Sequence, residues 1–233
     1  MKSIAIIPAR SGSKGLKDKN ILTLAGKPLL WHTIQAAKES GCFETVMVST
    51  DSEQYAEIAR ECGAEVPFLR SRELSMDNSG SWDVVREVIK RYEDLKSLFD
   101  YVALLQPTSP LRKPEDIKGA FSIMKEHSAG SVVSVVEVDH PVQWCFRMHD
   151  TGYISELANS PYNNCRRQDL EIYYRENGAV YIVNAKKIME TNYNFYADNC
   201  YGYIMPRERS IDIDSEYDFK FAAFMLTELR NGV

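Results

Sequence analysis

The first two-thirds of the chain alternates short apolar runs with longer segments of helical periodicity. Ser3–Pro8 reads as a buried strand, and a polar, glycine-containing loop follows from Arg10 to Asn20. Pro28 then opens a helix that runs to about Lys38 and stops at Gly41. Glu44–Thr50 predicts a second strand. Thr50 and Glu53 have the spacing of a capping box for a helix over Glu53–Glu61, ended by Gly63. Val84, Val85, Val88, Ile89, Tyr92 and Leu95 recur at helical spacing within Ser81–Lys96. Tyr101–Gln106 reads as a strand, Pro114 starts a helix with Ile117, Phe121 and Met124 on one face, and Ser131–Val138 is a β-branched run of the kind buried on both faces. Strands separated by helices of this length imply right-handed βαβ units: an α/β fold with a mostly parallel, twisted sheet covered by helices on both faces.

The rhythm breaks near Asp139. Residues 140–164 are rich in Pro, Asn, Tyr and Trp, and Asp150-Thr151-Gly152 has the character of a hairpin turn. This segment, about 139–170, reads as an excursion from one domain spanning 1–233. Regular structure resumes with strand Ala179–Val183, a short helix from Asn184, strand Tyr201–Met205, strand Ile211–Asp214 and a closing helix capped by Ser215 and Asp218.

Composition narrows the function. The 233 residues carry a net charge of −5, which disfavours nucleic-acid binding through an overall positive field, so any anion must be met by a local basic pocket. No run approaches the roughly 18 apolar residues of a membrane span. The apolar stretch at the N-terminus is cut by Arg10 and suits a first strand better than a signal peptide. Five cysteines without a CxxC pair argue against a disulfide scaffold or a zinc site and fit a reducing cytoplasm.

Four segments carry candidate chemistry. After the first strand come Arg10-Ser11-Gly12-Ser13-Lys14-Gly15 and Lys19-Asn20, whose glycines admit close backbone approach and whose cations could neutralise a triphosphate. The segment matches neither the P-loop nor the dinucleotide glycine pattern, and taken alone it is equally readable as a solvated basic turn. In Ile211-Asp212-Ile213-Asp214, an extended backbone turns both isoleucines to one side and both carboxylates to the other. Such a pair is costly unless a cation or proton lies between the charges, and magnesium accepts one or two carboxylates together with phosphate oxygens and water. The bland reading is that one Asp caps the last helix. Gln106, in Leu105-Gln106-Pro107-Thr108-Ser109-Pro110-Leu111-Arg112, stands where two prolines stiffen a strand end; alone this is a rigid turn. Arg166-Arg167-Gln168-Asp169 and Arg175-Glu176-Asn177-Gly178 could recognise an acidic, hydroxylated acceptor, or form a solvated basic loop.

In this order and spacing, and with Val48-Ser49-Thr50-Asp51 and Asn177-Gly178-Ala179-Val180-Tyr181-Ile182, the chain resembles the CMP-N-acylneuraminate (sialic acid) cytidylyltransferase family, which includes the CMP-legionaminate and CMP-pseudaminate enzymes. The resemblance implies a nucleotide-diphosphosugar-transferase-like fold, CTP and an acidic 2-keto sugar as substrates, Mg2+ dependence, and a homodimer whose protruding arm helps build the partner's sugar site. By position it assigns Arg10, Ser11, Gly12, Lys14, Lys19 and Asn20 to the triphosphate, and Ser81 and Gln106 to nucleotide or sugar. Asp212 and Asp214 fall to the metal, and Arg167, Gln168, Asn177, Tyr181, Phe195 and Tyr196 to the acceptor; the last two are equally readable as core. Lys17 and Glu171 stand where the family commonly has proline. The implied reaction joins CMP to the sugar's anomeric hydroxyl, with Arg10, Lys14, Lys19 and Asp212 as the catalytic set and no histidine suited to act as base. A 3-deoxy-octulosonate cytidylyltransferase and a non-catalytic nucleotide-sugar binding protein are the alternatives.

Overall fold

In a computed structural model, residues 2–231 are described except 13–14, 77–78, 155–159, 163, 191–192 and 198. The strands are β1 (Ser3–Pro8), β2 (Thr23–Leu24), β3 (Lys27–Pro28), β4 (Thr45–Ser49), β5 (Tyr101–Leu104), β6 (Ser131–Glu137), β7 (Tyr174–Asn184) and β8 (Cys200–Ile204). The helices are α1 (Leu29–Ser40), α2 (Glu53–Glu61), α3 (Ser81–Asp94), α4 (Pro114–Glu126), α5 (Ala185–Ile188) and α6 (Glu216–Asn231).

Six strands form one sheet in the order β4-β1-β5-β7-β6-β8. β1 pairs in parallel with β4 and β5, and β6 in parallel with β8. The mostly parallel expectation holds with one exception: β7, the longest strand, runs antiparallel between β5 and β6. The side-chain alternation of β1 divides the core. Ile4 and Ile6 face Val85, Val88 and Ile89 of α3, while Ala5 and Ile7 face Ile34 of α1, Ala56 of α2 and Ile117 of α4. Helices therefore cover both faces, as the β-branched runs require. A third cluster, with Leu24, Leu29, Ile213 and Ala222 at its centre, seats the small β2–β3 hairpin and α6 beside the sheet.

Several local expectations need correction. Ile211–Asp214 is extended but joins no sheet: the one backbone bond it makes to the main fold is from Ile213 N to Thr108 O, at 2.8 Å. Part of its alternation survives: Ile213 is fully buried, Asp212 is partly buried and Asp214 is exposed. The cap of α2 is Ser52, whose hydroxyl accepts from Tyr55 N, not Thr50. β5 ends at Leu104, two residues short of Gln106, and Leu95 lies past the end of α3 and is 59% exposed. The turn Ala25-Gly26, both at positive φ, closes the β2–β3 hairpin.

The 139–170 segment contains two single 3-10 turns, Val142–Trp144 and Arg167–Asp169, and a tight turn at His149–Tyr153 with Gly152 at φ 81°. Phe146, Met148, Tyr153 and Tyr162 are exposed on it. Part of the segment lies outside the described residues. Among the described residues, no helix is long and apolar enough to cross a membrane.

Candidate active site

The loop after β1 is shaped by hydrogen bonds. Ser11 donates from its backbone N and its hydroxyl to the two oxygens of Asp51, at 2.8 and 2.9 Å, which ties the loop to the end of β4. Buried Asn20 donates to Arg10 O at 3.1 Å and closes the loop on itself. Gly12 sits at φ 72°, in the left-handed region that a side chain would strain. Gly15 is required for space: a β-carbon there would stand 2.5 Å from Asp214 O. The loop thus packs directly on the segment that carries the two carboxylates.

Lys19 joins the two chain ends. Its Nζ donates to Ile213 O at 2.6 Å and lies 3.3 Å from Asp214 Oδ1. A cavity of about 410 Å³ opens beside this junction. Arg10, Gly15, Lys19, Asn20, Asp212 and Asp214 all line it; Ser81 at the start of α3, Gln106 and Thr108 complete the wall. Of the sequence-derived candidates, the structure brings Arg10, Lys19, Asn20, Ser81, Gln106, Asp212 and Asp214 together. Lys14 lies outside the described residues, and Ser11 and Gly12 act through the loop's shape.

Asp212 is mostly buried, and burial first, then the charge of Asp214, raises its carboxyl above the usual range, against a hydrogen bond from Thr108. Among the described residues, its Oδ1 has no hydrogen-bond partner. A buried, unpartnered carboxylate oxygen facing a cavity fits a cation ligand, because an orphaned acceptor otherwise loses its hydration uncompensated. Among the described residues no group of three metal-ligating side chains exists, so an ion here would take its other ligands from substrate oxygens and water.

Gln106 is held from behind by a buried cation. Arg112 donates to Gln106 O and Ser109 O, each at 3.3 Å, and to Thr33 Oγ1 at 2.9 Å; burial pulls its pKa down to about 9.

The remaining candidates divide. Tyr181 is buried and near Asp212, whose charge joins burial in raising its phenol. Tyr196 is half exposed beside it, and both hydroxyls donate to Glu176 Oε2, at 3.0 and 3.1 Å. Phe195 is buried and stacks on Trp82 at 4.6 Å. Asn177 does not line the cavity. Its Oδ1 accepts from Ser134 Oγ and Ala179 N, and its Nδ2 donates to Ser210 Oγ and Met205 Sδ. It fastens the β6 irregularity between Val133 and Val135 to Ser210, in the segment leading toward Asp212. Arg167 and Gln168 are exposed on a separate surface, with Arg167 3.5 Å from Glu137, and neither reaches the cavity in this chain.

Three contributors carry little sequence signal. Arg70 lines the cavity while bonded through Nε and Nη2 to Ser49, and burial lowers its pKa to about 10. Gly178, at φ 75°, leaves room for the site: a β-carbon would lie 2.5 Å from Gln106 Oε1 and 3.2 Å from Asp212 Oδ2. Asp51 is the loop's anchor, visible in sequence only as part of Ser49-Thr50-Asp51.

The chain is similar to known cytidylyltransferases. The chain is 43% identical over 221 residues to an N-acylneuraminate cytidylyltransferase of Streptococcus agalactiae, covering 94% of this chain and 52% of the relative. It therefore spans about half the length of that curated relative. It is 42% identical over 228 residues to the CMP-N,N'-diacetyllegionaminic acid synthase of Legionella pneumophila, covering 94% of both. The fold superposes on a CMP:2-keto-3-deoxy-manno-octonic acid synthetase solved with CTP, with a TM-score of 0.73 at 17% identity, over 98% of this chain and 100% of the other. The cytidylyltransferase family model matches residues 4–219, and the chain belongs to that family.

Proposed function

We propose that this protein transfers CMP from CTP to the anomeric hydroxyl of an acidic nine-carbon 2-keto sugar, releasing pyrophosphate. The observation that carries the reading is the junction at Lys19, where the basic loop after β1 meets the Asp212/Asp214 segment across one cavity large enough for a nucleotide. The names of the relatives favour a nonulosonic acid over a 3-deoxy-octulosonate, since the octonic acid synthetase shares the fold at only 17% identity.

The residues divide the work. Lys19, with Lys14 in the same loop, offsets charge on the triphosphate, and Arg10 stands by the α-phosphate. Ser81 and Gln106 hold the nucleoside and the sugar. In-line attack on the α-phosphorus breaks the bond to the β-phosphate and makes CMP-sugar and pyrophosphate, a transfer that depends on positioning and charge neutralisation rather than a covalent protein intermediate. Asp212 and Asp214 would hold Mg2+ together with triphosphate oxygens. When bound, the ion neutralises charge that develops on the leaving group. The unpartnered Oδ1 of Asp212 supports that assignment. A cytoplasmic location, one domain over residues 1–233 and a dimerisation arm at about 139–170 complete the reading; the exposed Phe146, Met148, Tyr153 and Tyr162 support a partner surface there.

The deciding experiment measures pyrophosphate release by purified protein with CTP, Mg2+ and, in turn, N-acetylneuraminic, legionaminic and pseudaminic acids. Turnover with one of them is expected. CTP binding without turnover on any sugar acid would favour the non-catalytic alternative.

A further inference from the structure

Beyond the residues already assigned, one exposed carboxylate near the cavity is held in an unusual way. Glu176 lies near the start of β7, directly before buried Asn177. Its Oε2 accepts from two phenols, Tyr181 OH at 3.0 Å and Tyr196 OH at 3.1 Å, while among the described residues no bond is found at Oε1. A solvated glutamate has several rotamers of similar energy; two charge-assisted hydrogen bonds to one oxygen select a single one. Burial and the carboxylate together raise both phenols, Tyr196 to about 12, so both remain donors throughout the working pH range.

The cluster borders the reaction space. Tyr181 is near enough to Asp212 to feel its charge. It also packs edge-on against Trp82 at 6.0 Å, the residue after the cavity-lining Ser81. At Gly178, two residues beyond Glu176, an added β-carbon would meet both Gln106 and Asp212. With a triphosphate between Arg10, Lys19 and the aspartates, a sugar reaching past Gln106 and Asp212 would meet this cluster.

We infer that Glu176 is a specificity-determining residue, whose fixed carboxylate accepts a hydrogen bond from an N–H or O–H of the acceptor sugar and turns the sugar's own carboxylate away. The inference rests on the nucleotidyl-transfer reading. A carboxylate can accept but not donate, so it favours a substituent that presents a donor and repels an acid group. One residue then binds the neutral end of the sugar and sets the orientation of its charged end.

The test compares wild type with Glu176→Gln and Tyr196→Phe, with CTP and Mg2+, on two sugar acids that differ only in an acylamino group against hydrogen at one ring carbon. A hydrogen bond to a charged group carries about a 10- to 100-fold factor. Glu176→Gln should raise KM for the acylamino sugar by that factor, leave KM for CTP within about twofold, and narrow the preference between the two sugars. Tyr196→Phe, which frees the carboxylate without removing it, should show the same pattern at smaller amplitude. Unchanged acceptor KM and unchanged preference in Glu176→Gln would overturn the inference. If that variant also loses CTP binding, Tyr196→Phe decides, and an unaltered preference there overturns it equally. Absence of turnover by wild type on every sugar acid would instead defeat the underlying reading.

Discussion

Replacing Asp212 with asparagine separates stability from function. The substitution keeps the shape of the side chain and removes its charge. In the protein without ligands, Asp212 is mostly buried, its Oδ1 has no partner, and Asp214 adds a like charge. An unsatisfied buried acceptor costs about 1–3 kcal/mol. Removing the charge should therefore leave the fold no less stable, and up to about 1 kcal/mol more stable. For a chain of this size that gain is roughly 2–4 °C in Tm. Activity should move the opposite way. Loss of one preorganised group that stabilises transition-state charge costs about 100- to 1,000-fold in kcat, or roughly 2.7–4 kcal/mol. Scanning calorimetry with and without Mg2+ and CTP, paired with pyrophosphate release, reads both effects. Ligand at about 100 times its Kd contributes roughly 2.7 kcal/mol to wild-type stability, and the variant should lose most of that increment. A ligand-free Tm more than about 5 °C below wild type, or turnover within threefold of it, would refute the reasoning.

Other substitutions probe the surrounding structure. Gly178→Ala places a β-carbon 2.5 Å from Gln106 Oε1 at a backbone φ of 75°. It should cost roughly 1–2 kcal/mol in urea unfolding and lower kcat as Gln106 and Asp212 are displaced; a full-activity variant would show that neither group needs its present place. Lys19→Met removes the bonds to Ile213 O and Asp214 and should raise KM for CTP about tenfold or more, with salt weakening the wild type more than the variant. Asp116→Ala removes a fully buried carboxylate that accepts from Arg209 Nη2 at 2.7 Å and from Lys113 N at 2.9 Å. Because Arg209 is partly exposed, the loss should fall near the lower end of about 3–5 kcal/mol, with KM values of the folded fraction unchanged.

The elements most legible in the sequence are those with one strong period: β1, α1, α3 and β6 lie close to where their apolar spacing puts them. Strand direction has no such signal. Ala179–Val183 looks the same whether its neighbours run with it or against it, so the antiparallel β7 emerges only from the pairing. Ile211–Asp214 shows the converse. Alternation reports an extended chain with one buried side, and a strand is only one way to meet that condition. The same limit applies to the site. Cations and carboxylates are visible as residue types, so Arg10, Lys19 and the aspartate pair could be named. Arg70 lies in an irregular stretch with no motif around it, and only the fold turns it toward the cavity. Asn177 has the right chemistry to touch a sugar, yet Ser134, Ala179, Ser210 and Met205 already use both ends of its amide.

That spent amide indicates how a site assembled from distant parts of the chain stays in register. The segment that delivers Asp212 is not in the sheet, so no ladder of hydrogen bonds sets its position. Single contacts do so instead. Asn177 Nδ2 holds Ser210 from the middle of β7, and Ile213 N donates to Thr108 O beside Gln106. Ile213 O accepts from Lys19, and the Ile213 side chain is fully buried against Leu24, Leu29 and α6. One apolar residue between the two aspartates is thus anchored on three sides, by the loop after β5, by the loop after β1 and by the closing helix. Its burial keeps the carboxylates directed at the cavity, whereas their mutual repulsion alone would drive that segment into solvent. The isoleucine contributes no chemistry, yet the alignment of charge across the cavity depends on it.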